Sequence, residues 1–136
     1  MRGFEDKQTG MWAFVSMEQR IPTDHPLRPI KKMADRELVG LSRLFNQMYS
    51  QVGRPSVAPE RILKSLLLIA LYSVRSERQF CEQLDYNLLF RWFLDMELEE
   101  ESFDATVFTK NRERLMEHEV GRRFFDAVVR QAREAN

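Results

Sequence analysis

Apolar side chains recur at intervals of three and four residues along most of the chain, which is the pattern of amphipathic helices. The clearest stripe begins after "DHPLRP", in which Asp24 is a candidate helix cap. Its apolar positions are Ile30, Met33, Ala34, Leu38, Leu41, Leu44, Phe45 and Met48. They predict a long helix of about five to six turns. The stretch "GRPSVAP" ends this helix and begins the next one.

The segments that follow predict further helices. "ERILKSLLLIALYSV" is apolar on nearly all sides, which is typical of a central, buried helix. In "SERQ", Ser76 is placed to cap a helix and Gln79 to complete a capping box. The aromatic residues of "LLFRWFL" are expected in the core. A last helix is predicted over about 119–135 from the apolar spacing of Val120, Phe124, Val128 and Ala132.

These elements predict an all-α fold, a compact bundle of about six helices with a helix-turn-helix-like segment. At 136 residues the chain is long enough for one domain with a genuine core. The stretch "MWAFVSMEQRIP" alternates apolar and polar residues imperfectly, so we interpret it as extended. We therefore divide the chain into an N-terminal arm, residues 1–22, and a helical domain, residues 23–136.

Charge and composition give no strong electrostatic signal. The 21 basic residues balance the 21 acidic residues, so a nucleic-acid site requires local segregation of charge. The single cysteine excludes an intrachain disulfide and fits a reducing compartment. The longest apolar run, Leu66 to Leu71, is too short to span a membrane, and "MRGFEDKQTG" is too polar for a secretory signal. We expect a cytoplasmic protein.

The sequence offers little to enzyme chemistry. Its two histidines, His25 and His118, are far apart, which makes a zinc site improbable. The acidic stretch "DMELEEES" lacks the pattern of a calcium loop, and we expect a solvated loop that also repels DNA. Cys81 has no histidine nearby in sequence and is interpreted as a structural thiol. We expect no catalytic residue, no metal and no cofactor.

The stretch "DATVFTKNRERL" is the main candidate for a binding surface. Asp104 is placed to cap a helix whose apolar side contains Val107, Phe108 and Leu115, together with Asn111. The opposite side carries Thr106, Thr109, Lys110 and Glu113, flanked by Arg112 and Arg114. Threonine, lysine and arginine contact bases and phosphates in DNA grooves. A solvated surface helix has the same pattern, so the spacing leaves both interpretations open.

Other arginines are secondary phosphate candidates. Arg54, Arg75 and Arg78 lie in the joints around the buried helix, and "SVRSERQ" places two of them at a helix start. The last helix carries four arginines, Arg122, Arg123, Arg130 and Arg133. Because Glu119, Asp126 and Glu134 dilute their charge, a solvated face is the favoured interpretation there.

Several of these motifs occur together in a known family. "RPSVAPE", "YSVRSERQ", "LDYNLLFRWF" and "DATVFTKNRERL", in that order, resemble the amino-terminal region of bacterial insertion-sequence transposases. The family is the DDE class named for insertion sequence five, and the resemblance runs from about Met11 to the end of the chain.

The resemblance implies a helical domain that precedes a ribonuclease-H-like catalytic domain. Members of the family bind the inverted repeats at the ends of their own element and cut DNA with metal-binding acidic residues. "DATVFTKNRERL" matches the recognition helix, which favours double-stranded DNA as its partner. The sequence stops at "FFDAVVRQAREAN", before the catalytic domain would begin. We therefore expect this chain to be catalytically inactive alone.

Two alternatives stay open. The chain is a candidate protein-interaction module that dimerises or binds the full-length transposase, including as its inhibitor. Trp12, Phe14, Met17 and Phe125 would then form the interface. The other alternative is a decayed gene fragment without a present function.

Overall fold

The computed structural model describes residues 10, 12–50 and 57–134. Within these ranges the chain is all-helical and contains no strand, which confirms the predicted fold class. The helices are α1 (Met17–Arg20), α2 (Leu27–Tyr49), α3 (Pro59–Leu71), α4 (Glu77–Gln83), α5 (Leu88–Phe93), α6 (Ala105–Met116) and α7 (Val120–Glu134). The helix that the sequence did not predict is α1.

Helix α1 lies in the segment that we interpreted as extended. Residues 12–16 have no regular structure, as expected, but Ser16 caps a single helical turn through its hydroxyl, which accepts from the amide of Gln19 at 3.4 Å. The turn is held on the body because Trp92 Nε1 donates to Glu18 Oε2 at 2.6 Å. The extended interpretation is therefore wrong for Met17–Arg20, since a side-chain cap and a long-range hydrogen bond stabilise the turn.

Helix α2 begins two residues later than a cap at Asp24 would place it. Asp24 does not cap it; instead His25 Nδ1 accepts from the amide of Leu27 at 3.1 Å. Pro26 stands at the cap position, where its missing N–H costs no hydrogen bond. The long predicted stripe is confirmed, because Leu27, Ala34, Leu38 and Phe45 are all buried.

The core forms around α3, as its apolar sequence predicts. Helix α2 packs against α7 and α3, and α6 packs against α3, α4 and α7. Rings from three helices meet in the centre, where Phe80 stacks on Phe90 with centroids 5.4 Å apart and lies 6.2 Å from Phe108. The buried aromatic residues of "LLFRWFL" confirm that prediction: Phe90, Trp92 and Phe93.

One polar group is buried where the sequence suggested only apolar packing. Lys64 on α3 is 3% exposed, and its ammonium contacts Asp35 of α2 and lies 3.3 Å from Asp95 Oδ2. Lys31 of α2 binds the same two carboxylates, each at 2.9 Å. This network of four charges joins α2, α3 and the segment after α5.

The acidic segment after α5 is largely exposed, as we expected of a solvated loop, but two of its carboxylates are held by basic side chains. Asp95 is held by the two lysines, and Glu100 forms a two-pronged contact with Arg61 of α3 at 2.7 and 3.2 Å. The buried guanidinium of Arg91 donates to the carbonyl of Glu97 at 2.6 Å. Basic side chains of the bundle thus fix part of the segment. Whether it repels DNA stays a prediction.

Candidate nucleic-acid interface

Helix α6 contains the stretch with the strongest functional signal. Asp104 Oδ1 accepts from the amides of Thr106 at 2.9 Å and Val107 at 3.1 Å, which confirms the predicted cap. The helix ends at Met116. Two otherwise unpaired amides of the first turn are thereby satisfied, so the start of α6 is well defined.

The inner side of α6 is anchored in the core. Phe108 and Leu115 are completely buried, and Val107 packs against the same cluster. Asn111, predicted on this side, donates from Nδ2 to the carbonyl of Val107 at 2.8 Å. The predicted division of the helix into inner and outer sides is therefore confirmed for the apolar residues.

Two of the proposed DNA-contacting residues are engaged within the protein. Thr109 Oγ1 donates to Glu77 Oε1 of α4 at 2.9 Å, and Arg112 Nε lies 2.7 Å from Glu77 Oε2. The second contact is an ion pair without a well-directed hydrogen bond. Thr109 and Arg112 are both half-buried. One carboxylate thus clamps α6 to α4 through two successive turns.

Sequence reasoning missed this role of Glu77. The residue lies in "SERQ", which we interpreted only as the start of a helix. That prediction is confirmed, because the Ser76 hydroxyl accepts a hydrogen bond from the amide of Gln79 at 3.1 Å and caps α4. Nothing in the spacing of residues connects Glu77 with α6. A helical wheel of α6 shows which side chains share a face, but it does not show which partner covers them.

Thr106, Lys110 and Arg114 form the outer face of α6. All three are exposed, at spacings of four residues, which places them along one side of the helix. Among the residues that the structure describes, neither Lys110 nor Arg114 has an ion-pair partner. Glu113 is exposed near them and lowers the local positive charge. The outer face therefore offers two free cations and one hydroxyl.

The surroundings of α6 differ from a simple helix-turn-helix. The connection from α5 to α6 covers residues 94–104, which is longer than the three- or four-residue turn of that motif. Helix α6 packs against α3, α4 and α7, and its contact with α4 includes the hydrogen bond to Glu77. The helix-turn-helix assignment thus remains a prediction.

The secondary phosphate candidates occupy different places. Arg78 is exposed on α4, and Arg75 is exposed beside a cleft of about 500 Å³ that Tyr72, Gln79 and Asn87 also line. Arg54 lies outside the described residues. Ser76 accepts from one amide at the start of α4, as predicted, so that amide is not available to a phosphate.

Cys81 has the environment of a structural thiol. It is 5% exposed, and burial raises its pKa to about 11, with further contributions from Glu77, Asp104 and Asp85. A thiol that stays protonated is a poor nucleophile.

In the described part of the chain, no group of three or more histidine, cysteine, aspartate or glutamate residues is arranged to hold a metal ion.

Fold and surface together define a small helical domain in which α6, with its exposed polar side, is held by a cap, an apolar side and the contacts of Glu77. The chain belongs to the transposase domain family (DUF772), which matches residues 15–114. No curated protein and no solved structure matches the chain. None of the described helices is both long enough and apolar enough to cross a membrane.

Proposed function

We propose that this chain is the DNA-binding domain of a transposase that recognises the terminal inverted repeats of its element. The observation that carries the proposal is the exposed row of Thr106, Lys110 and Arg114 on a helix whose other sides are fixed. Membership of a transposase domain family supports DNA as the partner. A rigid helix with a polar outer row has the form that enters a major groove.

The roles of the individual residues follow from their contacts. Lys110 and Arg114 bind phosphates, and Thr106 donates a hydrogen bond to a base or to the backbone. Thr109 and Arg112, which we first assigned to DNA, hold α6 on α4 through Glu77. They contribute to recognition by orienting the helix.

We assign the chain more finely to the DDE transposases named for insertion sequence five, on the motifs quoted above. On this proposal the helical domain covers residues 23–136 and the arm residues 1–22. On this proposal the helical domain binds the element ends, and DNA cleavage is the task of the family's catalytic domain.

The proposal is tested by replacing the two free cations of the outer face. Lys110→Ala combined with Arg114→Ala removes two phosphate contacts, and the slope of log affinity against log salt is expected to fall by about one unit for each. Arg20→Ala is the control, because Arg20 is exposed on α1 without an ion-pair partner in the described structure. Equal affinity and slope for the double variant and the parent would overturn the assignment of this face.

A second candidate function is a protein-interaction module, including an inhibitor of the full-length enzyme. One observation favours it: Trp12 and Phe14 are 101% and 110% exposed, so these aromatic rings contact nothing in the described part of the chain. Met17 and Phe125, which we expected in the same interface, pack against the core instead.

Sedimentation distinguishes this second candidate. If Trp12 and Phe14 form an interface between copies, Trp12→Ala is expected to lower the average mass at high concentration. Tyr86→Ala is the matched control, because Tyr86 is also an exposed aromatic residue but lies between α4 and α5. Identical profiles for Trp12→Ala and the parent at all concentrations would count against an interface through Trp12.

A further inference from the structure

The outer surfaces of α2 and α7 carry a second concentration of basic side chains. Its residues, named here the α2–α7 basic face, are Lys32, Arg36, Arg122, Arg123, Arg130 and Arg133. All six side chains are exposed. None of them forms an ion pair with any other part of the described chain.

The two helices that carry these groups pack against each other. Helix α7 packs against α2 over much of its length, and Gln131 of α7 donates to Glu37 of α2. Lys32 and Arg36 line a shallow groove whose opposite wall contains Gln131 and Glu134. The basic groups of α2 therefore lie beside the last turns of α7, where Arg130 and Arg133 are located.

Sequence alone favoured a solvated face because Glu119, Asp126 and Glu134 dilute the arginines of the last helix. The structure changes that balance because Lys32 and Arg36 of α2 line a groove together with Gln131 and Glu134 of α7. Glu37 of α2 accepts a hydrogen bond from Gln131 and keeps its negative charge. Asp126 and Glu134 are the acidic side chains exposed on α7 itself, so positive charge predominates.

Ion pairing occupies some of the basic side chains elsewhere in the bundle, while others, such as Lys110 and Arg114 on α6, lack a partner in the described chain like those of this face. Five basic residues, Arg28, Lys31, Arg61, Lys64 and Arg112, are paired with carboxylates of the described chain. The acidic segment after α5 accounts for several of these pairs. A chain with no net charge thus collects unpaired cations on α2 and α7. Such segregation is what phosphate binding requires of a neutral protein.

We propose that the α2–α7 basic face binds the phosphate backbone of double-stranded DNA, independently of sequence. Arg122 and Arg133 are separated by about 16 Å along the helix. Duplex DNA carries one charge per roughly 1.7 Å of axis, so several phosphates lie within that length. Arginine suits this role because its planar guanidinium binds phosphate oxygens in pairs. The inference rests on the proposed function, since it takes DNA as the partner, and adds a contact surface distinct from α6.

The test measures DNA binding by two kinds of variant of this face: one that loses positive charge and one that loses negative charge. Arg122→Gln, Arg130→Gln and Arg133→Gln together are expected to lower the salt slope by about three units, equally for repeat and scrambled duplexes. Asp126→Asn removes the acidic group between these arginines and is expected to raise affinity for both duplexes. Glu99→Gln is the matched control for the second change, because Glu99 is exposed in the acidic segment and makes the same change in net charge elsewhere.

The outcomes separate this inference from the proposed function. If the parent binds DNA while the triple variant keeps its affinity and slope, the α2–α7 assignment is wrong and the α6 proposal stands. If the parent binds neither duplex in low salt, the proposed DNA-binding function is wrong, and this inference, which depends on it, is wrong as well. A triple variant that loses only the preference for the repeat would also contradict the inference, because backbone contacts do not read sequence. Circular dichroism of the exposed-residue variants verifies that each one is folded.

Discussion

Glu77 and Arg112 form an ion pair, with Glu77 Oε2 2.7 Å from Arg112 Nε, that joins the short helix α4 to the candidate recognition helix α6. The same carboxylate accepts a hydrogen bond from Thr109. Because both partners are half-buried, the pair is less screened than a surface salt bridge. The orientation of the outer face of α6 therefore depends on a residue of another helix.

A double-mutant cycle measures this clamp. Glu77→Ala leaves the buried Arg112 Nε without its counter-ion and is expected to lower the free energy of unfolding by about 1–3 kcal/mol. Combining it with Arg112→Ala should give a coupling energy of about 1 kcal/mol in urea unfolding. The control pair is Arg112 with Glu113, which are 3.9 Å apart on an exposed side and should couple weakly. Equal coupling for the two pairs would contradict the clamp.

Acid stability depends on the charge network around Lys64. Burial opposes ionisation of Asp95, but the hydrogen bond from Lys31 and the charge of Lys64 outweigh it and lower the pKa of Asp95 below its ordinary value of 3.8. A carboxyl with a lowered folded-state pKa stabilises the protein above its unfolded pKa, and this contribution is lost as the pH falls through the folded value.

Asp95→Asn should therefore destabilise the protein at pH 7 by about 1 kcal/mol, and the difference should be smaller at pH 2. Asparagine suits the position because Asp95 has a positive φ of 56°, which asparagine also tolerates. Urea unfolding at both pH values gives the measurement, with Glu99→Gln as a control outside the network. A difference that persists unchanged at pH 2 would exclude the ionic explanation.

Cys81 should react slowly with thiol reagents in the folded protein. Burial raises its pKa to about 11 from an ordinary 9.0, so the thiolate fraction at pH 8 falls by about 100-fold, and burial also blocks access. Labelling with a disulfide reagent at pH 8, before and after urea unfolding, checks this. Immediate labelling of the folded protein would show that α4 opens readily.

Gly40 offers a way to stabilise the domain without touching its proposed surfaces. It is exposed within α2, and a Cβ added there meets no atom within 4 Å. Gly40→Ala is expected to raise the free energy of unfolding by about 0.5–1 kcal/mol, because alanine loses less entropy in a helix. Gly121→Ala is the comparison; its Cβ would lie 2.4 Å from Met116 Sδ, so the gain should be smaller. A lower melting temperature for Gly40→Ala would argue against a continuous α2.

The sequence predicted those parts of the structure that depend on local pattern. The stripe of α2, the buried α3 and the caps at Ser76 and Asp104 follow from spacing and from residues next to each other in the chain. Long-range polar contacts were not predictable in this way. Lys64 lies in an apolar helix but is buried against Asp95, and no periodicity indicates that partner.

The candidate site shows the same limit. The wheel of α6 separated the buried Phe108 from the exposed Lys110 correctly. It placed Thr109 on the outer side, although Glu77 binds that side chain. A wheel of α6 cannot show this contact, because Glu77 belongs to another helix. The charge of α7 was judged from that helix alone, whereas α2 supplies part of the same surface. Packing between helices, not the sequence of each one, decides which polar groups remain free.

The central claim is that this domain reads the ends of its element. Fluorescence anisotropy with two labelled duplexes over a salt series tests it most directly, one duplex with the inverted repeat that flanks the gene and one with a scrambled copy. If the domain recognises the repeat, its preference for the repeat over the scrambled copy is expected to be about a thousandfold. Equal affinity for the two duplexes would contradict sequence recognition, and no binding in low salt would contradict the DNA-binding function itself.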